Sequence, residues 1–524
     1  MTIFFKSQVK KSIAFMVGVG APTSIAIYSS TTSRFSSTTT SASSASSSSS
    51  NDVSTSNIEI SAAKPYNGLG SSCPKYDNKP LRLIQVHTAF RHGARTPMND
   101  LGKQPVHWTL EEQDKTSFSL AQFTLYQPGN GSPIPRTSIQ KNLYAKDEKT
   151  LLGGGYPGAL TKNGMQMAID LGTELRKRYV DVEAKESKDV RDGYLLPCTW
   201  SYARKLVNVQ STKTERTIET AQGLISGLFP NYLKGEENKF DIMFSGPSEY
   251  MVLNPKSCKK LQLHFAEGKL LSTQNRTDDD KKAIEIVENH SDGWVRDDEQ
   301  WKLVSYRDQL LCRAAEHKAI PKHIVEISDM LDDGAQRQME HIFEGGADFV
   351  ENSEARRTEA LKLGIGRMLT QIVDRMDRPD KMYHLYSGHD WTVSPLFMCV
   401  AGKGATHAWP PFCSNITFEV WSAKEEDEVI EHWANQGIDK NGKNDDGRYV
   451  RVLYNSEILK MPCSDNSGTN NQLCKMKDFK QMMSKFIVNE NYTDICGGKG
   501  EWHSPSHVAK GEGKGSAAVQ GGAI

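Results

Sequence analysis

No Cys-x-x-Cys pair occurs among the nine cysteines of this 524-residue chain, which removes zinc ribbons and thioredoxin-type redox chemistry. An excess of either charge is also missing. The 64 basic residues are dispersed along the chain and balanced by 64 acidic ones, so nucleic acid is not an expected partner. Long hydrophobic runs are absent as well. The apolar stretch from Ile13 to Tyr28 is broken by Gly18, Gly20 and Pro22, and no stable membrane span is expected in the mature form. No Lys-Ser/Thr follows the glycine-rich Gly153-Gly154-Gly155-Tyr156-Pro157-Gly158, so it is not a nucleotide loop. The turn Asp439-Lys440-Asn441-Gly442 lacks a closing Glu and carries Lys443 at a ligand position, which excludes a calcium loop. Neither a metal nor a cofactor is expected, and no internal repeat is found.

The first 51 residues contain Lys6, Lys10, Lys11 and Arg34 but no Asp or Glu. That composition reads as a targeting segment and predicts a non-cytosolic destination. Its acid-free, Ser/Thr-rich continuation favours a mitochondrial transit peptide, while the basic start and apolar stretch also suit a secretory signal. Five Asn-x-Ser/Thr sites, at Asn130, Asn275, Asn289, Asn415 and Asn491, do not decide between the two, because a comparable number arises by chance at this composition. Residues 36–56 are almost wholly Ser, Thr and Ala, and 498–524 are rich in Gly, Lys and Ala. Neither can bury enough apolar area to fold. The expected organisation is therefore a targeting segment and linker over 1–60, one catalytic domain over 61–497, and a disordered tail over 498–524.

Three motifs in the globular part carry chemistry. The first is Arg91-His92-Gly93-Ala94-Arg95-Thr96-Pro97, which follows a strand-like run containing Leu83, Ile84, Val86, Ala89 and Phe90. A strand ending in such punctuation leaves its last side chains on a loop at the sheet edge, where α/β folds place ligands. Arg91 and Arg95 offer guanidinium forks that match phosphate oxygens, and nearby positive charge keeps His92 as neutral, nucleophilic imidazole. The second is Tyr383-His384-Leu385-Tyr386-Ser387, which leads into Gly388-His389-Asp390 and an apolar helix-like segment. Here His389 can donate to a phosphoryl oxygen, and Asp390 can protonate a leaving alkoxide. The third is Ser211-Thr212-Lys213-Thr214-Glu215-Arg216-Thr217, which opens a helix-like stretch with Arg216 near its start.

In this order the motifs resemble the histidine acid phosphatase family. The resemblance also covers Leu160-Thr161-Lys162-Asn163-Gly164-Met165, Arg176-Lys177-Arg178-Tyr179 and Gly227-Leu228-Phe229-Pro230, and it spans roughly 81–496. Within the family the chain is most similar to the lysophosphatidic acid phosphatase branch, through Leu152-Gly153-Gly154, the Trp409-Pro410-Pro411-Phe412 turn, and Cys463 followed by Cys474. One departure is Gln210, where family members usually carry Arg before the Ser-Thr pair. The resemblance implies an α/β fold of the phosphoglycerate mutase-like type: a central mixed or parallel sheet flanked by helices, with an inserted α-helical cap at about 240–380. It also implies His92 as nucleophile, Asp390 as proton donor, and Arg91, Arg95, Arg216 and His389 as phosphate ligands. The implied substrate is a small phosphomonoester, with lysophosphatidic acid or a related lysophospholipid first. Inositol polyphosphates and small phosphomonoesters are the alternatives, and a non-catalytic phosphate-binding module is the reading from another class. Asp390 directly after His389 argues against the mutase relatives. An acid optimum follows if Asp390 must be protonated in the substrate complex.

The rest of the reading concerns structure. Thr161 is an expected N-cap, with Ala168, Leu171 and Leu175 at helical spacing and Arg176 to Arg178 complementing the helix C-terminus. Ile416 to Trp421 and Tyr449 to Tyr454 alternate as strands. Cys463 and Cys474 flank a polar loop and either close a local disulfide in an oxidising compartment or stand as reduced thiols. The odd cysteine total leaves at least one thiol without an intramolecular partner.

Overall fold

The computed structural model describes residues 74–76, 79–98, 106–127, 130–136, 150–230, 239–244, 249–290, 302–344, 353–378, 381–402, 409–423, 447–464 and 472–497. The targeting segment, the Ser/Thr-rich stretch, the turn at 439–442 and the Gly-rich tail lie outside the described residues.

Ten strands form one mixed sheet: β1 Arg82–Arg91, β2 Phe123–Gln127, β3 Asn130–Ile134, β4 Val207–Ser211, β5 Phe240–Phe244, β6 Tyr383–Gly388, β7 Asn415–Ser422, β8 Arg448–Tyr454, β9 Glu457–Leu459 and β10 Cys474–Lys475. Their order is β9-β8-β7-β1-β6-β4-β5-β2-β3, with β10 paired to β8. The centre, β1-β6-β4-β5-β2, is parallel, and antiparallel strands complete both sides. Nine helices of eight residues or more are described around it: α1 Lys162–Tyr179, α2 Glu215–Leu228, α3 Lys259–Gln274, α4 Asp278–His290, α5 Lys302–Ala315, α6 Ser328–Glu344, α7 Ser353–Arg375, α8 Asp390–Ala401 and α9 Met476–Met483. This is the expected α/β class. The interval between β5 and α7 is helical, and α4, α5 and α6 share a small core of their own that includes Ile284, Tyr306, Leu310 and Leu331. By contrast α7 packs through Ala360, Leu361, Ile365, Met368, Leu369 and Ile372 into the core that covers one face of the sheet.

Thr161 caps α1 as expected, its hydroxyl accepting from the Gly164 N–H at 3.0 Å. The basic turn behaves differently from the expectation that it complements the end of its own helix. Arg176 donates to the Leu228 carbonyl at the end of α2, and Arg178 reaches Glu419 in β7. The alternating segments form strands as expected, and every residue of β7 is buried because helices cover both sides. Its polar positions therefore find protein partners in place of water. Glu419 accepts from Arg178 Nε at 2.8 Å, Tyr179 Oη at 2.8 Å, Arg451 Nε at 2.7 Å and Trp421 Nε1 at 3.1 Å. Burial pushes its carboxyl up, but Arg178 and Arg451 outweigh that and hold it ionised.

Two disulfides are present among the described residues. Cys463–Cys474 is the local pair, with Cα atoms 5.4 Å apart. Cys258–Cys496, with Cα atoms 4.8 Å apart, ties the end of the described chain to the start of α3 across 238 positions, a separation that hides the pairing in sequence. Among the described residues Cys198, Cys312, Cys399 and Cys413 are thiols.

Behind the strand ends lies a buried pair of histidines. His384 is in register with His87 across β6 and β1, and their rings stack with centroids 4.5 Å apart. Gln85 Oε1 lies 3.2 Å from His87 Nε2, which places the proton there, and His87 Nδ1 faces the Tyr386 hydroxyl at 3.2 Å. Burial first, then neighbouring charge from His384 and Arg375, depresses the His87 pKa strongly; burial and Arg375 lower that of His384 to about 3. The unfolded chain takes up these protons near pH ~6.5, whereas the folded chain does not. The stability due to neutral burial is thus complete above about pH 6.5 and is lost as pH falls below it, at about 1.4 kcal/mol per pH unit for each histidine. Between pH 6.5 and 5, His384→Gln should reduce the fall in unfolding free energy by about 2 kcal/mol relative to the parent. Urea titrations across that range measure this, and identical slopes would show that His384 is not a source of acid sensitivity.

Candidate active site

The sheet register assembles the three motifs. Gly388 at the end of β6 is opposite Arg91 at the end of β1, and Ser387 is opposite Ser211 at the end of β4. The next residue of each strand, His389, His92 and Thr212, therefore emerges at the same carboxyl edge. Backbone bonds fix the three turns together: His92 N–H donates to the Gly388 carbonyl at 3.0 Å, and Thr212 N–H to the Ser387 carbonyl at 3.1 Å. Gly93 is required because the loop runs against the first turn of α1. A Cβ there would lie 2.1 Å from the Gly164 carbonyl oxygen, a backbone atom that cannot move aside.

His92 is buried, and its Nδ1 lies 2.9 Å from the Gly93 carbonyl oxygen. A carbonyl only accepts, so Nδ1 carries the proton and Nε2 keeps its lone pair. Burial lowers the pKa of this imidazole most, followed by the charges of Arg216, Arg91 and Arg95. It is neutral far into the acid range. The sequence identified the arginines as the cause; burial is the larger one, and Arg216 contributes more than either arginine of the heptapeptide.

The three guanidinium groups are held in different ways. Arg91 donates to the Pro410 carbonyl at 2.7 Å, pairs with Asp390 Oδ2 at 2.9 Å, and lies over the Phe412 ring at 4.4 Å. Arg95 pairs with Asp308 Oδ1 at 2.7 Å; burial opposes its charge, but Asp308 keeps it firmly protonated. Arg216, in the first turn of α2, is pulled down to about 9 by burial and by the like charge of Arg95. The Nε atoms of Arg91, Arg95 and Arg216 are all buried without a hydrogen-bond partner among the described residues. Desolvated guanidinium groups that keep a buried N–H without a partner are stabilised by an oxyanion.

His389 and Asp390 complete the ring of groups. His389 Nε2 is 2.9 Å from Thr212 Oγ1, and its ring meets that of His92 edge-on with centroids 5.5 Å apart. Asp390 opens α8, with Oδ1 accepting from the Trp391 N–H at 2.9 Å and Oδ2 from Trp409 Nε1 at 3.0 Å. Burial raises its pKa, but Arg91, the Trp409 bond and His389 outweigh this, so Asp390 is ionised in the free protein.

All six expected site residues, His92, Asp390, Arg91, Arg95, Arg216 and His389, are thus brought together. The sequence reading did not find Asp308, Arg307 and Cys312, which α5 carries to the site. Asp308 orients Arg95, Cys312 Sγ lies 3.6 Å from Arg95 Nη1, and Arg307 sits over the Trp409 ring at 5.0 Å. An Arg-Asp pair on a charged helix is indistinguishable in sequence from a solvated face. Gln210 is buried at the strand end, with no charge to add to the cluster.

The pattern of the histidine phosphatase superfamily (branch 2) matches residues 82–455, which include every residue of this cluster. Lysophosphatidic acid phosphatase type 6 of Homo sapiens is 27% identical over 442 residues, 81% of this chain and 88% of that protein. The 2-phosphoxylose phosphatase 1 of Mus musculus is 23% identical over 453 residues, 80% of this chain and 82% of that protein. Among solved structures, the Bifidobacterium longum multiple inositol polyphosphate phosphatase complex with inositol hexasulfate has a TM-score of 0.47 at 11% identity, covering 82% of this chain and 98% of that one.

Proposed function

This chain belongs to the histidine phosphatase superfamily (branch 2), and from that premise we propose that it hydrolyses phosphomonoesters through a phosphohistidine on His92, with lysophosphatidic acid or a related lipid phosphate as substrate. The observation that carries the reading is a buried, neutral His92 whose proton is held on Nδ1, set among the charges of Arg216, Arg91 and Arg95, with Asp390 paired to Arg91 at 2.9 Å. Nε2 forms a bond to phosphorus as the ester P–O bond breaks, and Asp390 gives its proton to the departing alkoxide. Water then attacks phosphorus and the P–N bond breaks. Asp390 takes the water proton, and His92 returns to neutrality. Arg91, Arg95, Arg216 and His389 hold the three equatorial oxygens, a task of positioning and charge stabilisation.

Asp390 is ionised before substrate arrives, so its proton has to come with the substrate or from solvent after binding. A phosphate monoester loses its second proton near pH ~6, and a monoanion meeting an ionised Asp390 carries the same proton count as a dianion meeting the protonated acid. Once the phosphoryl group engages Arg91, its negative charge raises the Asp390 pKa and the proton moves to the carboxyl. Activity is thus expected to fall as pH rises above about 6, an acid preference set by the pair.

The lipid assignment is supported by the lysophosphatidic acid phosphatase relative and by three exposed apolar side chains, Met98 directly after the arginine motif, Leu110 at the start of a short helix and Leu152 in a turn. An acyl chain should raise kcat/KM over glycerol 3-phosphate, with about 0.8 kcal/mol per fully buried CH₂ as an upper guide. Phosphate release from lysophosphatidic acid, glycerol 3-phosphate and p-nitrophenyl phosphate without added metal tests this. Equal specificity for the first two would remove the lipid pocket.

A further inference from the structure

Beside the phosphate cluster, and bordered by Arg216, lies a cavity of about 380 Å³ that the chemistry above does not use. Its described lining holds three carboxylates, Asp114, Glu215 and Glu219, and three cations, Lys115, Arg136 and Arg216. Arg216 belongs to the phosphate cluster, whereas the other two cations are already engaged. Lys115 Nζ pairs with Glu219 Oε2 at 3.1 Å. Arg136 bridges both glutamates, with Nε 2.7 Å from Glu215 Oε1 and Nη2 3.1 Å from Glu219 Oε1. The glutamates are deep and Arg136 sits nearer solvent: the side chain of Glu215 is 3% exposed and that of Glu219 10%, against 37% for Arg136. The remaining wall is uncharged, with Leu110, Leu120 and Tyr156 among its residues.

Resting on the phosphatase reading, we propose that this cavity receives the leaving group and that Glu215 and Glu219 select for an uncharged, hydroxyl-bearing alcohol with one phosphate against polyphosphorylated substrates. A second phosphate entering beside Arg216 would meet two buried carboxylates at close range. It would also have to break ion pairs before Lys115 or Arg136 could contact it. A site that favours several phosphates needs cations in excess of carboxylates, and among the described lining residues the two are equal. Hydroxyl groups face no such repulsion and can donate to the same glutamate oxygens. Selectivity thus comes from a repulsive element as much as from an attractive one. Two glutamates of α2 carry it: Glu215, adjacent to the phosphate-facing Arg216 in sequence, and Glu219, one helical turn further on.

The test uses ligands that cannot turn over, so binding is read apart from catalysis. Calorimetry gives Kd for inorganic sulfate, which occupies the phosphate cluster, and for inositol hexasulfate, which must also place anions in the cavity. Burial pushes the Glu219 carboxyl up while Lys115 pulls it down, so the titrations are run at neutral pH and repeated in mild alkali, which favours the ionised form. In the parent protein the hexasulfate should bind within about tenfold of sulfate, a margin that includes its six equivalent groups. Glu219→Gln should lower the hexasulfate Kd relative to that of sulfate by at least about tenfold, which is about 1.4 kcal/mol. Arg136→Gln, at a site open enough to tolerate the change, should move that ratio the other way. A parent protein that binds hexasulfate a hundredfold more tightly than sulfate would overturn the proposal. So would a ratio that neither variant shifts, or one that Arg136→Gln shifts toward hexasulfate. If sulfate itself fails to bind, it is the phosphatase reading that falls.

Discussion

His92→Ala should abolish turnover of aryl and alkyl phosphates alike, with a loss in kcat of at least about 10⁴-fold, because no phosphoenzyme can form. The side chain is buried among cations, and its removal leaves Arg91, Arg95 and Arg216 in place. Binding of phosphate should therefore survive. The variant is expected to retain product inhibition, or protection from thermal unfolding by orthophosphate, while releasing no phosphate from p-nitrophenyl phosphate. Residual turnover within tenfold of the parent would assign the nucleophile elsewhere, to water or another side chain.

The second large effect separates Asp390 from His92 by leaving group. Asp390→Asn should lower kcat/KM for alkyl phosphates by about 10²- to 10⁴-fold, since an alkoxide needs a proton as it departs. Phosphoryl transfer from p-nitrophenyl phosphate should be largely spared, because that phenolate leaves unaided. With the aryl ester an acid-labile, base-stable phosphohistidine should accumulate, as attack by water has lost its general base. Rapid-quench measurement of phosphoenzyme formation from both esters tests this. The 2.9 Å pairing of Asp390 with Arg91 defines the competing outcome. If formation slows equally with aryl and alkyl esters, Asp390 acts by orienting Arg91 and is not the proton donor.

The mixed sheet and the site differ in how far they could be read from residues. The strand-like run 383–388, ending in Gly, is legible as a strand, and it is buried throughout because both faces of a parallel centre are covered. The alternating pattern at 415–422 marks a strand but does not show that both of its faces are buried. Its polar residues, Glu419 above all, are satisfied by side chains from α1 and β8, more than two hundred and about thirty positions away respectively. Local periodicity cannot tell a water-facing carboxylate from one that meets two arginines across the fold. The same limit hid Asp308 and Cys312, whose helix reads as a charged surface until it folds over Arg95.

The amino-acid sequence by itself determined the chemistry available: a histidine between two arginines, a His-Asp pair and a third arginine at a helix start. These are residue-type requirements of phosphoryl transfer, and they sit in short contiguous motifs at strand ends, where local pattern is sufficient. Only the tertiary structure decided which nitrogen of His92 is free, because the Gly93 carbonyl claims the other. It also decided that Asp390 is ionised before substrate binds, because Arg91 and Trp409 converge on it from different parts of the chain. Protonation and tautomer are set by burial and by charges within a few ångströms, and those distances exist only after β1, β4 and β6 pair in register.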